Sequence, residues 1–530
     1  MELAQQKRTQ LDPEVLRYIE QMEASVSETA ERHAALSLRY EQLLEEYRLE
    51  VYKRFARSSE KETNQQELFE ETEQTVAAEE EQTTTIGSHE RKKPGRKPID
   101  EHLPRVNILH DIAEGERHCA CGHELERFSE EVSERIQVIP EQMYVERHIR
   151  PKYACKYCEG SGDEQKPAVR IAPAPASMIP GSIVTAGLLA FVLVNKFVDH
   201  LPFYRQEARF ERLGMHLSRQ DMSNWAMAAA KKLEPLIELY RQRIRGGPVM
   251  QMDETPVQVL DEPERKNTTK SYMWLARGGP AGAPVCLYHY EPTRGLVYPA
   301  EFLKDYTGYL QADGYEVYDR VAAAEPGITL VGCWAHARRK FHEAVTASKK
   351  AGAAREGLER IRKLYRIEED LRAGQLEPEQ FTARRREHAE PVLESLRNWL
   401  ANKSETVVPS SLLGKAVGYT LSQWEKLVRY LEHPELTPDN NAAENAIRPF
   451  VPGRKNWLFS GSPRGADASC ALYSIIETGK MNGLNPFAYL HYIFTRAPLI
   501  ADSTEWEELL PENLNIQEVN KAFLATVRWI

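Results

Sequence analysis

Apolar side chains in the first part of the chain recur at the spacing of a helical seam. Residues 11–52 contain no Gly, and their only Pro stands near the start. The apolar positions follow a heptad repeat, which is the pattern of a coiled coil. They are Ile19, Met22, Val26, Leu36, Tyr40, Leu43 and Tyr47, with Thr29 and His33 as interruptions. Residues 11–57 are therefore predicted to form a self-associating coiled coil; the alternative is an amphipathic helix docked on its own chain.

Residues 58–104 lack this periodicity and are predicted to be a linker. Residues 58–90 are polar and acidic, and they cannot bury enough apolar surface to fold. The segment RKKPGRKP follows, and it places five cations in seven residues. They are Arg91, Lys92, Lys93, Arg96 and Lys97. Pro and Gly keep this segment extended, which suits the minor groove of AT-rich DNA; a solvated basic linker is the alternative.

Four Cys in two close pairs distinguish residues 105–170. They are Cys119 and Cys121 in HCACGHEL, and Cys155 and Cys158 in YACKYCEG. The second pair has the CxxC spacing of a zinc knuckle, whereas the first is tighter than usual. Four thiolates in a small Gly-punctuated segment predict a closed structural zinc site, which has no open position for chemistry. His118 or His123 could replace one thiolate, and free thiols are the alternative to zinc.

Apolar residues at helical spacing return in residues 178–245 and predict a run of helices. Gly214 breaks this run, and Ser218 is placed to cap the next helix. The pattern resembles a helix-turn-helix in which Arg219 stands at the start of the second helix. Because that helix is not markedly basic, DNA contact and a plain helical connector are both compatible with it.

From Pro248 onward the apolar residues alternate with polar ones, which predicts strands. Three successive strands are followed by helix, strand, helix, strand and helix. This order is that of a ribonuclease-H-like α/β core, which we assign to residues 246–480 of a multidomain α+β chain. Residues 345–435 are helical and charged, and we interpret them as an insertion into that core.

Three acids stand where such a core can bind metal. Asp253 and Asp313 follow apolar strand-like runs, and Glu444 lies on a helix that Asp439 can cap and Pro449 can stop. Carboxylate oxygens are ligands that Mg²⁺ prefers. Two strand acids and one helical acid therefore predict a site for two Mg²⁺ ions, roughly 3.5–4 Å apart.

Polar side chains near these acids suit phosphate chemistry. On the helix of Glu444, the residues Asn441, Asn445 and Arg448 share its face. His336 and Arg339 share a face of the helix after the last strand, and they could orient a phosphate or a leaving group.

A basic segment with aromatic residues and Gly follows the helix of Glu444. Its sequence VPGRKNWLFSGSPRGAD contains Arg454 and Lys455. We predict a flexible contact to the DNA backbone; a solvated loop is the alternative.

Composition restricts the possible functions. The chain has 530 residues, of which 42% are hydrophobic, so it can form several domains and a sizeable core. No apolar run reaches the length of a membrane span. Seven Cys without a secretory leader indicate a reducing, cytoplasmic location. The net charge of −10 arises in residues 1–90, where 21 acids face 10 bases, so the remainder can carry basic patches for DNA.

Together the motifs resemble the large transposase of the insertion sequence 66 family. The resemblance covers nearly the whole chain, through YKRFARSSEK, GRKP, CxCG…CxxC, DHLPFYRQEARFERLG, DETPVQVL, CWAHARRKF, DNNAAENAIRPF and GRKNWLFSGS. It implies a DDE transposase in which Asp253, Asp313 and Glu444 form the catalytic triad. It also implies a helical insertion before Glu444, a C-terminal helical domain at residues 481–530, and accessory proteins as partners.

The expected activity is Mg²⁺-dependent cleavage at the element ends and transfer of the freed 3′-OH into target DNA. Double-stranded DNA is the expected partner, bound by the zinc module, the basic linker and the helices of 178–245. The coiled coil would pair two protomers in a nucleoid-associated complex. The alternatives are a zinc-containing DNA-binding regulator without catalysis, which the intact triad disfavours, and a nuclease that hydrolyses DNA without joining it.

Overall fold

The computed structural model describes residues 13–55, 143–154, 169–347 and 352–527. The described residues 13–55, 151–154, 169–347 and 352–527 belong to one compact unit, and residues 143–150 belong to another. The predicted linker lies outside the described residues. So do the predicted zinc ligands and the basic cluster, namely Cys119, Cys121, Cys155, Cys158, His118, His123, Arg91, Lys92, Lys93, Arg96 and Lys97. A short antiparallel pair, β1 (Lys152–Ala154) and β2 (Val169–Ile171), flanks the second Cys pair in sequence.

The heptad segment forms one long helix, α1 (Pro13–Phe55). Its apolar seam is exposed: Leu36 is 72% exposed and Tyr47 is 67% exposed. The C-terminal part of α1 contacts the helical region of residues 334–422, where Lys415 lies 3.7 Å from Glu46. The helix is thus as predicted, whereas self-association stays a prediction.

Four consecutive helices lie between β2 and the sheet, in a fully described part of the chain. They are α2 (Ala186–Phe197), α3 (Phe203–Arg212), α4 (Arg219–Lys232) and α5 (Glu234–Arg245). Gly214 has a φ of +80°, which Gly adopts readily, and it makes the predicted break. Ser218 caps α4 as predicted, since its hydroxyl accepts the N–H of Asp221 at 3.1 Å. Within the described residues, no helix is long and apolar enough to cross a membrane.

A five-stranded mixed sheet lies at the centre of the larger unit. Its strands are β3 (Val249–Gln258), β4 (Lys270–Gly278), β5 (Val285–Glu291), β6 (Gly308–Gln311) and β7 (Ile328–Val331). They lie in the order β5-β4-β3-β6-β7, with β3, β4 and β5 antiparallel and β3, β6 and β7 parallel. Helices α6 (Val297–Phe302), α7 (Glu316–Ala324) and α8 (Trp334–Ala347) follow β5, β6 and β7. The element order is therefore the predicted one.

Strand β3 runs well past Asp253 and includes Pro256. Asp253 lies opposite Leu275, and Pro256 lies opposite Tyr272. Proline is tolerated here because Pro256 turns its main chain away from β4, so that its carbonyl accepts a hydrogen bond from Arg454. The missing N–H of Pro256 therefore removes no bond of the β3–β4 ladder.

The charged block between β7 and Glu444 is helical, as predicted. It contains α9 (Ala353–Ala373), α10 (Pro378–Thr406), α11 (Leu412–Ser422) and α12 (Trp424–Val428). These helices and α8 share a second hydrophobic core, which also includes Val249 of β3 and Val331 of β7. The fully buried Arg385 of α10 donates to the carbonyls of Tyr430 at 2.6 Å and Leu436 at 2.9 Å. The block is thereby fastened to the segment that leads to Glu444.

Five further helices complete the unit. They are α13 (Asn441–Ile447), α14 (Phe450–Trp457), α15 (Pro463–Met481), α16 (Pro486–Arg496) and α17 (Ile516–Val527). Helix α15 packs on β5, and α16 packs on α2. The buried hydroxyls of Tyr240 on α5 and Tyr489 on α16 are hydrogen-bonded at 2.9 Å.

Candidate active site

Asp253 and Asp313 lie at the same end of two neighbouring parallel strands. Gln251 of β3 is the register partner of Gln311 of β6, and each Asp follows its Gln by two residues. The two buried amides fix this register, because Nε2 of Gln251 donates to Oε1 of Gln311 at 2.9 Å. The two acids are therefore brought side by side just beyond the paired part of β3 and β6.

The segment before α13 brings the third acid to this end of the sheet. Gln311 donates to the carbonyl of Thr437 at 2.6 Å, and the N–H of Trp334 donates to the carbonyl of Pro438 at 2.9 Å. The buried Asn440 donates from Nδ2 to the carbonyl of Met252 at 2.8 Å. Sequence reasoning missed Asn440, although it directly precedes the helix of Glu444. Its bond attaches that helix to the residue next to Asp253.

Helix α13 presents its predicted polar residues in two different ways. The N-cap residue is Asn440 and not the predicted Asp439. The Asp439 carboxylate accepts the N–H of Asn441 at 3.1 Å and the side-chain amide of Asn441 at 2.7 Å. Glu444 is half-buried, whereas Asn445 and Arg448 are exposed. Asn441 is therefore bonded to Asp439, while Asn445 and Arg448 remain accessible to a ligand.

The pKa of Asp253 is raised to about 8. Burial is the main cause, followed by the negative charge of Glu254 and, more weakly, those of Glu444 and Asp313. The N–H of Glu254 accounts for a smaller opposing effect. Because Glu444 and Asp313 both act on Asp253, the three predicted acids share one electrostatic environment, which a bound cation would neutralise.

Glu254 is a further acid beside the three. Its side chain is 2% exposed, and it accepts hydrogen bonds from Arg294 at 2.7 Å and from the hydroxyl of Tyr318 at 2.8 Å. Burial and the charge of Asp313 raise its pKa, and Arg294 opposes that effect. The Glu254 carboxylate is thus held by Arg294 and Tyr318, and its charge is one cause of the raised pKa of Asp253.

His336 and Arg339 of α8 both face Glu444, from which His336 lies 4.0 Å and Arg339 lies 3.7 Å away. Burial and the charge of Arg339 lower the pKa of His336, in spite of the opposing charges of Glu444 and Asp313. Ligand atoms of Cys333, His336 and Glu444 lie within 4.8 Å of one another. Nδ1 of His336 and Oε1 of Glu444 are buried without a hydrogen-bond partner among the described residues, so both atoms are available to a ligand.

The predicted DNA contacts outside the acid cluster differ in their surroundings. Arg219 is exposed at the start of α4, and Lys455 is exposed on α14. Arg454 instead donates to Thr255 Oγ1 at 3.2 Å and to the carbonyl of Pro256. The prediction of a flexible segment is wrong for Phe450–Trp457, which is helical. Packing of its two terminal aromatic rings, 5.3 Å apart, and the anchoring of Arg454 to β3 explain the difference.

Profiles of one protein family match most of the chain. The profile described as "Transposase IS66 family" matches residues 181–468, which include the sheet and all three acids, so the chain is a transposase by class. It belongs to the transposase IS66 family. The zinc-finger binding domain of that transposase matches residues 116–159, which supports structural zinc in this chain. The IS66 C-terminal element matches residues 474–511, and "Transposase C of IS166 homeodomain" matches residues 42–108.

Two relatives from Sinorhizobium fredii (strain NBRC 101917 / NGR234) extend over most of the chain. The uncharacterized protein y4jD is 33% identical over 442 residues, covering 80% of this chain and 83% of its own. The uncharacterized protein y4hP is 31% identical over 504 residues, covering 90% of this chain and 88% of its own. DNA is accordingly the partner that membership of a transposase family indicates.

Proposed function

We propose that this chain is a DDE transposase that cleaves DNA at the ends of its element and joins them to target DNA. The observation that carries the proposal is the register of Gln251 with Gln311, which brings Asp253 and Asp313 to one end of the sheet. The influence of Glu444 on the pKa of Asp253 adds the third acid. The sheet order supports a ribonuclease-H-like core.

The acids fit divalent metal ions by the chemistry of their donors. Asp253 is protonated at neutral pH because burial and the neighbouring carboxylates disfavour its charge, and cations at this place would remove that disadvantage. Oε1 of Glu444 is buried and accepts no hydrogen bond from the described residues. Asp253, Asp313 and Glu444 would hold two Mg²⁺ ions, which when bound stabilise charge on the attacking and leaving oxygens.

The protein's own groups would hold the DNA and keep Glu444 in place. Arg339 and His336 flank the Glu444 carboxylate and restrict its position. Arg448 and Asn445 are exposed on the same helix, where they can bind phosphate oxygens of the scissile strand. In the first step water attacks the phosphorus at the element end, and the bond to the 3′-oxygen breaks. In the second step the freed 3′-OH attacks a target phosphodiester and displaces its 3′-oxygen.

Other parts of the chain would assemble the complex around this site. The zinc module, the basic cluster of residues 91–97 and the helices that include Arg219 would bind the element ends. Helix α1 would pair two protomers, so that two ends are cut together. Accessory proteins and a nucleoid-associated, cytoplasmic location are part of the same proposal.

A strand-transfer assay on duplexes that carry the element ends tests the proposal. Asp253→Asn, Asp313→Asn and Glu444→Gln should each abolish cleavage and joining while end binding persists. Glu301→Gln, at an exposed position of α6, is the matched control and should remain active. The triad assignment is wrong if Asp253→Asn keeps full activity. A protein that binds ends without cutting them would be a regulator, and one that frees 3′-OH ends without joining would be a nuclease.

A further inference from the structure

The connection between α14 and α15 exposes two large apolar side chains. Leu458 is 63% exposed and Phe459 is 44% exposed. Leu458 has φ +67° and ψ −48°, and the N–H of Phe459 donates to the carbonyl of Trp457 at 2.8 Å. This is the strained form of the γ-turn, which a residue with a Cβ rarely adopts. We call these two residues the 458–459 tip.

The tip is held rigidly from both sides. Before it, the N–H of Leu458 donates to the carbonyl of Arg454 at 2.8 Å, and Arg454 itself is bonded to β3. After it, Ser460 exchanges main-chain bonds with β3, donating to the carbonyl of Gln258 at 2.9 Å and accepting from Leu260 at 2.9 Å. Strain persists only where the surrounding structure fixes it. The same strand carries Asp253, so the tip is mounted on the element that positions the proposed catalytic acid.

Charge along the segment that carries the tip favours a polyanion as its partner. Residues 449–466 contain no acid, and Lys455 and Arg464 are exposed on either side of the tip. Arg448 is exposed just before α14. An apolar projection between cations matches a DNA duplex, because the cations contact phosphates while the apolar side chains enter the base stack.

We infer that the 458–459 tip inserts between base pairs beside the cleavage site and unstacks the element end. This inference rests on the proposed function, since it assigns the tip to the DNA that the acids would cut. Insertion kinks the duplex and opens its backbone at the scissile phosphate. Base steps that unstack readily would then be preferred at this place, without hydrogen bonds to their bases.

Fluorescence of 2-aminopurine tests the inference directly. Duplexes of the element end with flanking DNA carry the probe at each position around the cleavage site, in the absence of divalent ions. The wild-type full chain should raise the fluorescence several-fold at one or two positions. Leu458→Ala/Phe459→Ala should lose most of that rise yet bind the duplex with similar affinity. Leu499→Ala, at another exposed apolar position (56% exposed), is the control and should keep the rise.

Leu458→Gly separates insertion from folding. Glycine adopts the positive φ without strain, so this variant should unfold at a higher temperature than the wild type while its fluorescence rise falls. A tip with a purely structural role would give the higher unfolding temperature with an unchanged rise.

Three outcomes would overturn the inference. They are no rise at any probe position with the wild type, an undiminished rise with the double alanine variant, and a tip that instead changes the mass of the DNA-free protein in sedimentation. Asp253→Asn should show the full rise although it cannot cut. The two proposals can therefore fail separately. If the wild type shows a fluorescence rise that depends on Leu458 and Phe459 but never cleaves DNA, the proposed chemistry is wrong and the insertion of the tip still holds.

Discussion

Asp253 is a carboxyl group that the fold keeps protonated at neutral pH in the absence of metal. Its pKa of about 8 lies well above the unfolded value of about 3.9. A raised pKa of this kind contributes stability below the unfolded pKa, and that contribution is lost as pH rises through the folded pKa. The free energy of unfolding of the metal-free protein should therefore fall between these two values. Urea titrations at several pH values should show a smaller fall for Asp253→Asn.

Binding of Mg²⁺ should favour the ionised carboxylate of Asp253 and so release its proton. Below pH 8 an ion that needs the Asp253 carboxylate must displace its proton, so the apparent Kd for Mg²⁺ should fall about tenfold per pH unit. Calorimetry in two buffers of different ionisation enthalpy would count the released protons. Glu301→Gln should behave as the wild type, and Asp253→Asn should release fewer protons. An affinity independent of pH between 6 and 8 would contradict the assignment of Asp253 as a ligand.

The side chain of Asn440 joins the start of helix α13 to β3. Asn440→Ala removes the donor to the Met252 carbonyl, and Asn440→Asp keeps the size of the side chain but removes the donor too. Both should lower the strand-transfer rate, on the order of a hundredfold, because small displacements of a reacting group have large effects. Affinity for end DNA should hardly change. Asn402→Ala, at an exposed position of α10, is the control. Equal rates for Asn440→Ala and the wild type would show that the bond does not position Glu444.

The helical insertion contributes to the site through Arg385. This residue is fully buried, and its guanidinium joins Glu368 at 2.8 Å to main-chain carbonyls of residues 430–436. Arg385→Met removes these buried hydrogen bonds, while Arg372 still donates to Glu368 at 2.7 Å and to the Leu436 carbonyl at 3.0 Å. The unfolding free energy should therefore fall by roughly 1–3 kcal/mol. Arg384→Met, at the exposed neighbouring position, should have little effect. Chemical denaturation measures the unfolding free energy of both variants. Similar unfolding free energies would show that the Arg385 hydrogen bonds do not stabilise the attachment of the insertion.

The sequence predicted the helices and strands more completely than the contacts that join them. Alternating apolar positions predicted all five strands of the main sheet in order, and the Ser218 cap followed from local chemistry. The register of β3 with β6 was not predictable, because it depends on a buried amide pair 60 residues apart, Gln251 with Gln311. The helix at Phe450–Trp457 was missed for a similar reason: Gly and Pro indicate a loop, whereas the packing of Phe450 on Trp457 and the tertiary bond of Arg454 to β3 explain the ordered structure.

At the scale of the whole molecule, the acidic excess and a long exposed apolar seam both lie within residues 1–90. The acidic excess lies in residues 1–90, and the remainder carries 58 acids and 59 bases. Helix α1 belongs to the acidic part, and its seam of large apolar residues is exposed within a single chain. Exposed apolar seams of this length are covered by a partner in most soluble proteins. Pairing two copies through α1 would bring two catalytic units together without using the DNA-binding surfaces.

Substitutions in the seam of α1 test this pairing. Leu36→Asp/Leu43→Asp places charges in the seam and should convert the dimer expected of the DNA-free chain into a monomer in sedimentation equilibrium. Ala24→Asp adds a charge on the exposed face away from the seam and should leave the mass unchanged. The alternative, docking of α1 on its own chain, has support in the contact of Glu46 with Lys415. If the seam instead docks α1 on its own chain, the double variant should sediment with the same mass as the wild type. The unfolding temperature of the helical insertion should then be lower in the variant. Joint cleavage of two ends should be lost only if the seam pairs protomers.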